Sequence, residues 1–411
     1  MRADILSIGD ELISGKTVNT NASWIGQQLL LIGIPVRRVI TVGDDSDMIQ
    51  QALRQAEAEA EIVLLSGGLG PTHDDITRSV ICSYFSCELV YNEQVMERIR
   101  TMFRHRGIPL ARSNESQAMV PAAAEVVTNE RGTAPGYRLR RNRTVFYVMP
   151  GVPHEMKDMM TRTILPELQA MNTGLAIASR VFCTTGIAES LLFEKIGDVQ
   201  AIEQLAKMAF LPSPAGTQIR LIARGANADE AAERLQRASE LVQERTKSYI
   251  YADRDIPLEE AVGQMLRQRS KTVAVAESCT GGLIAHKLTG VAGSSDYFER
   301  GVVCYSNRSK TELLSVPAAV IEQQGAVSEE VAAALAQGVR RLAGTDFGLS
   351  TTGIAGPGGG TADKPVGLVY IGLADAHGVQ VERHVFSGER WLNKERFATA
   401  ALNLLRKKMA G

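Results

Sequence analysis

No stretch of the 411-residue sequence approaches the roughly 20 uninterrupted apolar residues of a bilayer-spanning helix, so no membrane span is expected. Excess charge is missing too. Forty-five Lys+Arg against 46 Asp+Glu leave a net charge of −1, which offers no electrostatic footprint for nucleic acid or an anionic lipid surface. Cysteine is scarce: Cys82, Cys87, Cys183, Cys279 and Cys304 are odd in number and widely spread, which argues for reduced thiols rather than a disulfide framework. The start, Met1-Arg2-Ala3-Asp4-Ile5-Leu6, carries an acid at once and no long apolar core, so it does not read as a signal peptide. A cytoplasmic protein is the expectation. Repeats and low-complexity tracts are absent. What remains is an ordinary globular composition, 45% hydrophobic and 22% charged, in a chain long enough for two or three domains.

Periodicity predicts an α/β fold. Strands at 5–8, 36–42 and 62–65 alternate with helices from about 22 to 32 and from Ser46 to about 60, a doubly wound pattern. A later strand at 145–149 ends in Pro150-Gly151-Val152-Pro153. Near 170 the texture becomes a small α+β module, with strands at 181–184 and 218–223 and a polar helix at 229–247. A second α/β unit follows, with strands at 272–276, 301–305 and 348–352, an antiparallel pair at 367–373 and 380–386, and a terminal helix. We therefore expect domains over residues 1–170, 171–255 and 256–411.

Chemistry concentrates at strand ends. In the first unit, Gly9-Asp10-Glu11-Leu12, Ser66-Gly67-Gly68-Leu69-Gly70-Pro71-Thr72-His73-Asp74-Asp75-Ile76-Thr77 and Pro150-Gly151-Val152-Pro153-His154-Glu155 all follow strands, where doubly wound folds bind ligands. Gly67, Gly68 and Gly70, with Thr72 and Gly151, would let backbone amides approach a phosphate. Neither the P-loop nor a G-x-G-x-x-G after the first strand is present. The hard carboxylate oxygens of Asp10, Asp74, Asp75 and Glu155 suit Mg²⁺ or another divalent metal beside substrate phosphates. The same acids and glycines would also serve as ordinary helix starts and turns. His73 and His154 read as surface or neighbouring residues rather than ligands.

The second constellation centres on Ala276-Glu277-Ser278-Cys279-Thr280-Gly281-Gly282, a strand closing in a small glycine-ended loop. Ser278 and Cys279 both qualify as nucleophiles. There is no Gly-x-Ser-x-Gly elbow, no Ser-x-x-Lys beginning at Ser278, and none of His286, His377 and His384 sits in an obviously facing loop. Tyr305 at a strand end and Lys310 in the next helical turn are the alternative bases. Thr280, Gly281, Gly282, Asn307 and the loop containing Gly353, Gly356 and Gly358 would bind substrate and hold an oxyanion.

Gly67-Gly68-Leu69-Gly70 with Asp75 and Thr77 resembles the signature of molybdopterin-binding domains. With Gly-Asp-Glu-Leu upstream and Pro-Gly-Val-Pro downstream it is similar to the CinA (competence/damage-inducible protein) family. Ala-Glu-Ser-Cys-Thr-Gly-Gly, Gly293-Ser294-Ser295, Gly301-Val302-Val303-Cys304-Tyr305-Ser306-Asn307, Gly325-Ala326-Val327-Ser328 and Gly353-Ile354-Ala355-Gly356-Pro357 look like that family's C-terminal amidohydrolase half.

The resemblance implies three parts: a molybdopterin-binding-like domain that hydrolyses ADP-ribose with a divalent metal, a KH-like α+β module, and an α/β domain that deamidates nicotinamide mononucleotide. The amidase would need no cofactor. Asp75 matches the signature acid; the resemblance implies Ser278 as nucleophile, Tyr305 and Lys310 as base and activator, and Ser295 as helper. Some relatives have a degenerate C-terminal half, whereas this chain keeps the serine loop. The module's turn, Pro212-Ser213-Pro214-Ala215-Gly216, lacks the Gly-x-x-Gly clamp, so small nucleotides rather than nucleic acid are the expected partners. The module is expected to space the two halves or to help form a homodimer. Two other readings stay open: a pterin- or nucleotide-binding protein without hydrolysis, and an interaction protein of competence or DNA repair.

Overall fold

The computed structural model describes residues 1–72, 74–172 and 176–410, with Arg112 and Ser113 described in backbone only. His73 therefore lies outside the described residues. The chain clusters into two units, residues 1–178 with 224–231, and residues 179–223 with 232–411.

In the first unit, Ala3–Ile8, Ile62–Ser66 and Thr144–Met149 are buried at every position, as strands covered on both faces must be. They form the middle of a six-stranded sheet. Val36–Val42 pairs in parallel on one side, while Gly136–Arg141 and Glu125–Val127 continue the other side antiparallel. The sheet is thus mixed, not wholly parallel; the extra strands form a meander whose short, half-polar segments carry little periodicity. Helix Ser46–Glu59 buries Ile49, Ala52, Leu53 and Ala56, one stripe at helical spacing, and Asp45 caps it by accepting from the Met48 N–H. Ser46 is thus the first helical residue.

A four-stranded antiparallel-rich sheet, whose residues fall mainly in the second unit, has the order Ala206–Ser213, Gly216–Gly225, Ala176–Thr184, Ile250–Ala252. The segment around 250 is thus a strand. Beyond it lies a five-stranded sheet in the order Phe298–Val303, Val273–Glu277, Phe347–Gly353, Leu368–Asp375, Gly378–Val385. Its first three strands are parallel, and the last two form the expected antiparallel pair. Alternation on Val273–Glu277 decides the layers: Val273 and Val275 join Phe397, Ala401 and Leu405 of the terminal helix, while Ala274 and Ala276 face Val331, Leu335 and Val339. The parallel strands end together, and those ends carry the candidate chemistry. Among the described residues no helix is long and apolar enough to cross a membrane.

Candidate active sites

Ser278 follows directly on strand Val273–Glu277 and is nearly buried. Its N–H donates to the Thr351 carbonyl at 3.0 Å, so the neighbouring strand fixes the start of the loop. Glu277, fully inside, accepts from the N–H groups of Gly282 (3.0 Å), Ile284 (3.0 Å) and Ala285 (2.8 Å). One carboxylate thereby satisfies donors that the helix Leu283–Thr289 leaves unpaired at its start. Gly282 takes φ 94°, a left-handed conformation that a side chain would strain, and lets the loop enter this helix. Thr280 Oγ1 and Thr351 Oγ1 bond at 2.8 Å and close the floor. The N–H groups of Cys279, Thr280 and Gly281 have no hydrogen-bond partner among the described residues. They remain available to an oxyanion.

Lys310 completes the centre. Ser306 and Ser309 cap the helix Asn307–Leu314 reciprocally, which places Lys310 in its first turns, pointing inward. The side chain is 1% exposed and donates from Nζ to Ser278 Oγ (3.1 Å), Cys304 O (3.0 Å) and Tyr305 O (3.2 Å). No carboxylate pairs with it among the described residues. Burial therefore pushes its pKa below the ordinary lysine value, and the helix dipole acts in the same direction.

Not every residue singled out from sequence converges here. Tyr305 is 60% exposed, and its hydroxyl accepts from Arg390 Nη2 at 3.0 Å; only its carbonyl touches Lys310. A strand end fixes its backbone, but the side chain turns outward toward the terminal helix. Ser295 is the clearest correction. It precedes strand Phe298–Val303, which runs parallel to Val273–Glu277, so it lies by the N-terminal strand ends while Ser278 lies beyond the C-terminal ones. Asn307 is exposed at the start of its helix. Cys279 is buried, and desolvation pushes its thiol up to about 12, the opposite of an activated thiolate.

Two cations escaped the sequence reading. Arg390 Nη1 donates to the Gly356 carbonyl at 2.7 Å and so ties the Gly353–Gly358 loop to Tyr305. One turn on, Lys394 Nζ lies 3.6 Å from where a Cβ on Gly281 would stand. Nothing local marks these two; only the fold brings the terminal helix over the serine loop.

In the first unit the three strand-end loops do converge, around a cavity of about 530 Å³ lined by Gly67, Gly68, Gly70, Asp74, Asp75, Gly151 and Glu155. At Gly67 (φ 122°) a Cβ would overlap the Ile8 carbonyl oxygen, so the loop can follow this path only with glycine. The Gly67 N–H donates to Met149 O; those of Gly68, Leu69 and Gly70 have no partner among the described residues. Thr72 donates its N–H (3.0 Å) and hydroxyl (2.5 Å) to Asp75 Oδ2, which closes the turn.

The four acids do not form one cluster. Asp10 Oδ1 accepts from the Asp44 N–H and Asp44 Oδ2 from the Asp10 N–H, both at 3.0 Å, a reciprocal loop clasp that takes Asp10 off the cavity wall. Glu155 accepts from Asn129 Nδ2 at 2.7 Å on the other wall. Among the described residues no three His, Cys, Asp or Glu side chains converge closely enough to hold a metal by themselves. The acid that sequence reasoning missed is Asp44. Burial, then the charges of Asp10, Glu11 and Asp75, push its carboxyl up against the opposing effect of the Asp10 N–H. It follows the strand Val36–Val42, so the rule that selected the other strand-end loops would have found it. This acidic mouth, with Asp44, Asp74 and Asp75 on its wall, fits a divalent cation whose remaining ligands are water and phosphate oxygens.

Comparison with known proteins gives three consecutive family matches: "Probable molybdopterin binding domain" over residues 4–170, "Damage-inducible protein CinA KH domain" over 179–252, and "CinA C-terminal domain" over 255–409. A CinA-like protein of Chloroherpeton thalassium is 43% identical over 99% of this chain and 99% of its own. A putative competence-damage inducible protein of Caldicellulosiruptor bescii is 40% identical over 100% and 99%. Among solved structures, a CinA protein of unknown function from Thermoplasma acidophilum matches 41% of this chain and 99% of its own at 32% identity, with a TM-score of 0.38.

Proposed function

The chain belongs to the CinA family, and from that membership and the two sites we propose a bifunctional enzyme of pyridine-nucleotide salvage. Its second unit deamidates nicotinamide mononucleotide to nicotinate mononucleotide and ammonia; its first hydrolyses the pyrophosphate of ADP-ribose with a divalent metal. The observation that carries the amidase reading is a buried lysine, without a carboxylate, 3.1 Å from a strand-end serine hydroxyl.

Neutral Lys310 accepts the Ser278 proton as Oγ attacks the carboxamide carbon. The tetrahedral oxyanion faces the N–H groups of Cys279 and Thr280, each such donor worth about 3–4 kcal/mol in the transition state. The proton on Lys310 passes to the leaving nitrogen, and ammonia departs. Water, deprotonated by the same amine, then hydrolyses the acyl-enzyme. Arg390 and Lys394 at the mouth suit the substrate's phosphate. Arg390→Ala should therefore raise KM for nicotinamide mononucleotide about tenfold and change kcat less than about threefold. Steady-state kinetics that showed a fall confined to kcat would instead put Arg390 in the chemistry.

In the first unit, Asp44 and Asp75 would hold the metal, and Gly68–Gly70 amides the phosphates. The cation would neutralise phosphate oxygens and polarise the bond to water. Adding EDTA should depress ADP-ribose hydrolysis at least about a hundredfold and leave ammonia release unaltered. Undiminished hydrolysis in EDTA would remove the metal from the proposal; tight binding with no turnover would make the unit a binding domain.

A further inference from the structure

Two polar atoms in the first unit's cavity stand without partners. Ser7, on the strand Ala3–Ile8, is 1% exposed, and its Oγ makes no hydrogen bond. Asn21, in the helix Thr20–Leu31, is 9% exposed and donates from Nδ2 to Ser66 Oγ (2.9 Å) and Gly151 O (2.7 Å). A carbonyl can only accept, so Gly151 fixes the amide's orientation and leaves Oδ1 as an acceptor without a donor. Both residues belong to the wall of the cavity of about 530 Å³. Unpartnered buried polar atoms are rare because each forfeits its hydration, and two on one wall mark a place where a ligand supplies the missing bonds.

The chemistry of the missing group follows from the pair. Asn21 Oδ1 demands a donor, which excludes a phosphate or carbonyl oxygen at that point. Ser7 Oγ can donate or accept. A hydroxyl satisfies both at once, giving its proton to Asn21 and accepting that of Ser7. Its place within a nucleotide is also constrained. Asn21 bonds to Ser66, the residue just before the Gly67–Gly70 turn, so the group must lie close to the phosphate in the ligand's covalent structure. The sugar does; the amino group of a base lies farther off. We propose that Ser7 and Asn21 form a subsite that receives a ribose hydroxyl of the nucleotide whose phosphate the Gly68–Gly70 amides hold. The assignment rests on the nucleotide reading of this cavity.

The test is calorimetric titration of the full chain with AMP, 2′-deoxy-AMP, 3′-deoxy-AMP and IMP. One deoxy analogue should bind wild type about tenfold more weakly than AMP, since it forfeits both hydrogen bonds, while IMP matches AMP. Ser7→Ala, which removes only an unbonded oxygen, should narrow the deoxy gap to about twofold. Asn21→Leu, which removes the acceptor, should narrow it as well. Deoxy analogues that both bind like AMP, a gap unchanged by Ser7→Ala, or weakening of IMP instead would overturn the subsite while leaving the nucleotide site intact. Absence of binding by every nucleotide would overturn both.

Discussion

Ser278→Ala is expected to abolish ammonia release from nicotinamide mononucleotide, lowering kcat about 10⁴-fold or more, whereas Cys279→Ala should stay within about threefold of wild type. The asymmetry follows from what surrounds two adjacent side chains. Ser278 Oγ meets an uncompensated amine at 3.1 Å; the Cys279 thiol is buried and pushed up to about 12, so at neutral pH it is protonated. Lys310→Arg should be as inactive as Ser278→Ala, because a guanidinium does not give up its proton. The pH profile of the wild type carries the same information. Only the neutral amine accepts a proton, and burial lowers the pKa of Lys310. Activity should accordingly rise with pH through a midpoint below that of an ordinary lysine. Between the folded and unfolded pKa values the unfolded chain binds the extra proton, so the contribution of Lys310 to stability also rises with pH there. A fully active serine variant, or activity lost on replacing Cys279 alone, would refute the mechanism.

Glu277→Gln is expected to lower stability by about 2–4 kcal/mol and the thermal midpoint by about 5–10 °C, with ammonia release falling alongside. Three backbone N–H groups converge on the buried carboxylate of Glu277. An amide of the same shape keeps one acceptor oxygen and turns an NH₂ group toward a donor, leaving at least one N–H without a partner. Since Ser278 is the next residue, slack at the helix start is transmitted to the nucleophile directly. Scanning calorimetry of the full chain measures the effect. An unchanged midpoint would mean that water replaces the carboxylate's bonds without cost.

Both constellations were legible in the sequence because each is a local event at the end of a hydrophobic strand. Alternating strands and helices dictate where the chain turns, and small, glycine-rich, polar segments at those turns have no role in a core. Ser278, Lys310, Asp75 and the Gly67–Gly70 turn could thus be located without coordinates. Side-chain direction could not. Tyr305 and Lys310 lie on the same short stretch, but one faces Arg390 and solvent while the other enters the interior toward Ser278. Asp10 and Glu155 occupy the loops expected of them, but Asp10 is tied to the Asp44 backbone and Glu155 to Asn129.

Sequence by itself determined the two α/β units, the family and the loops that carry the chemistry, since these depend on periodicity and on short contiguous motifs. Only the tertiary structure decided which atoms meet. It removed Ser295 to the opposite strand ends, brought Arg390 and Lys394 over the serine loop, and put Asp44 in place of Asp10 on the cavity wall. The physical reason is the same in each case. Partners far apart in the chain are chosen by strand register and by the packing of helices on a sheet, and no local pattern of residues encodes that choice.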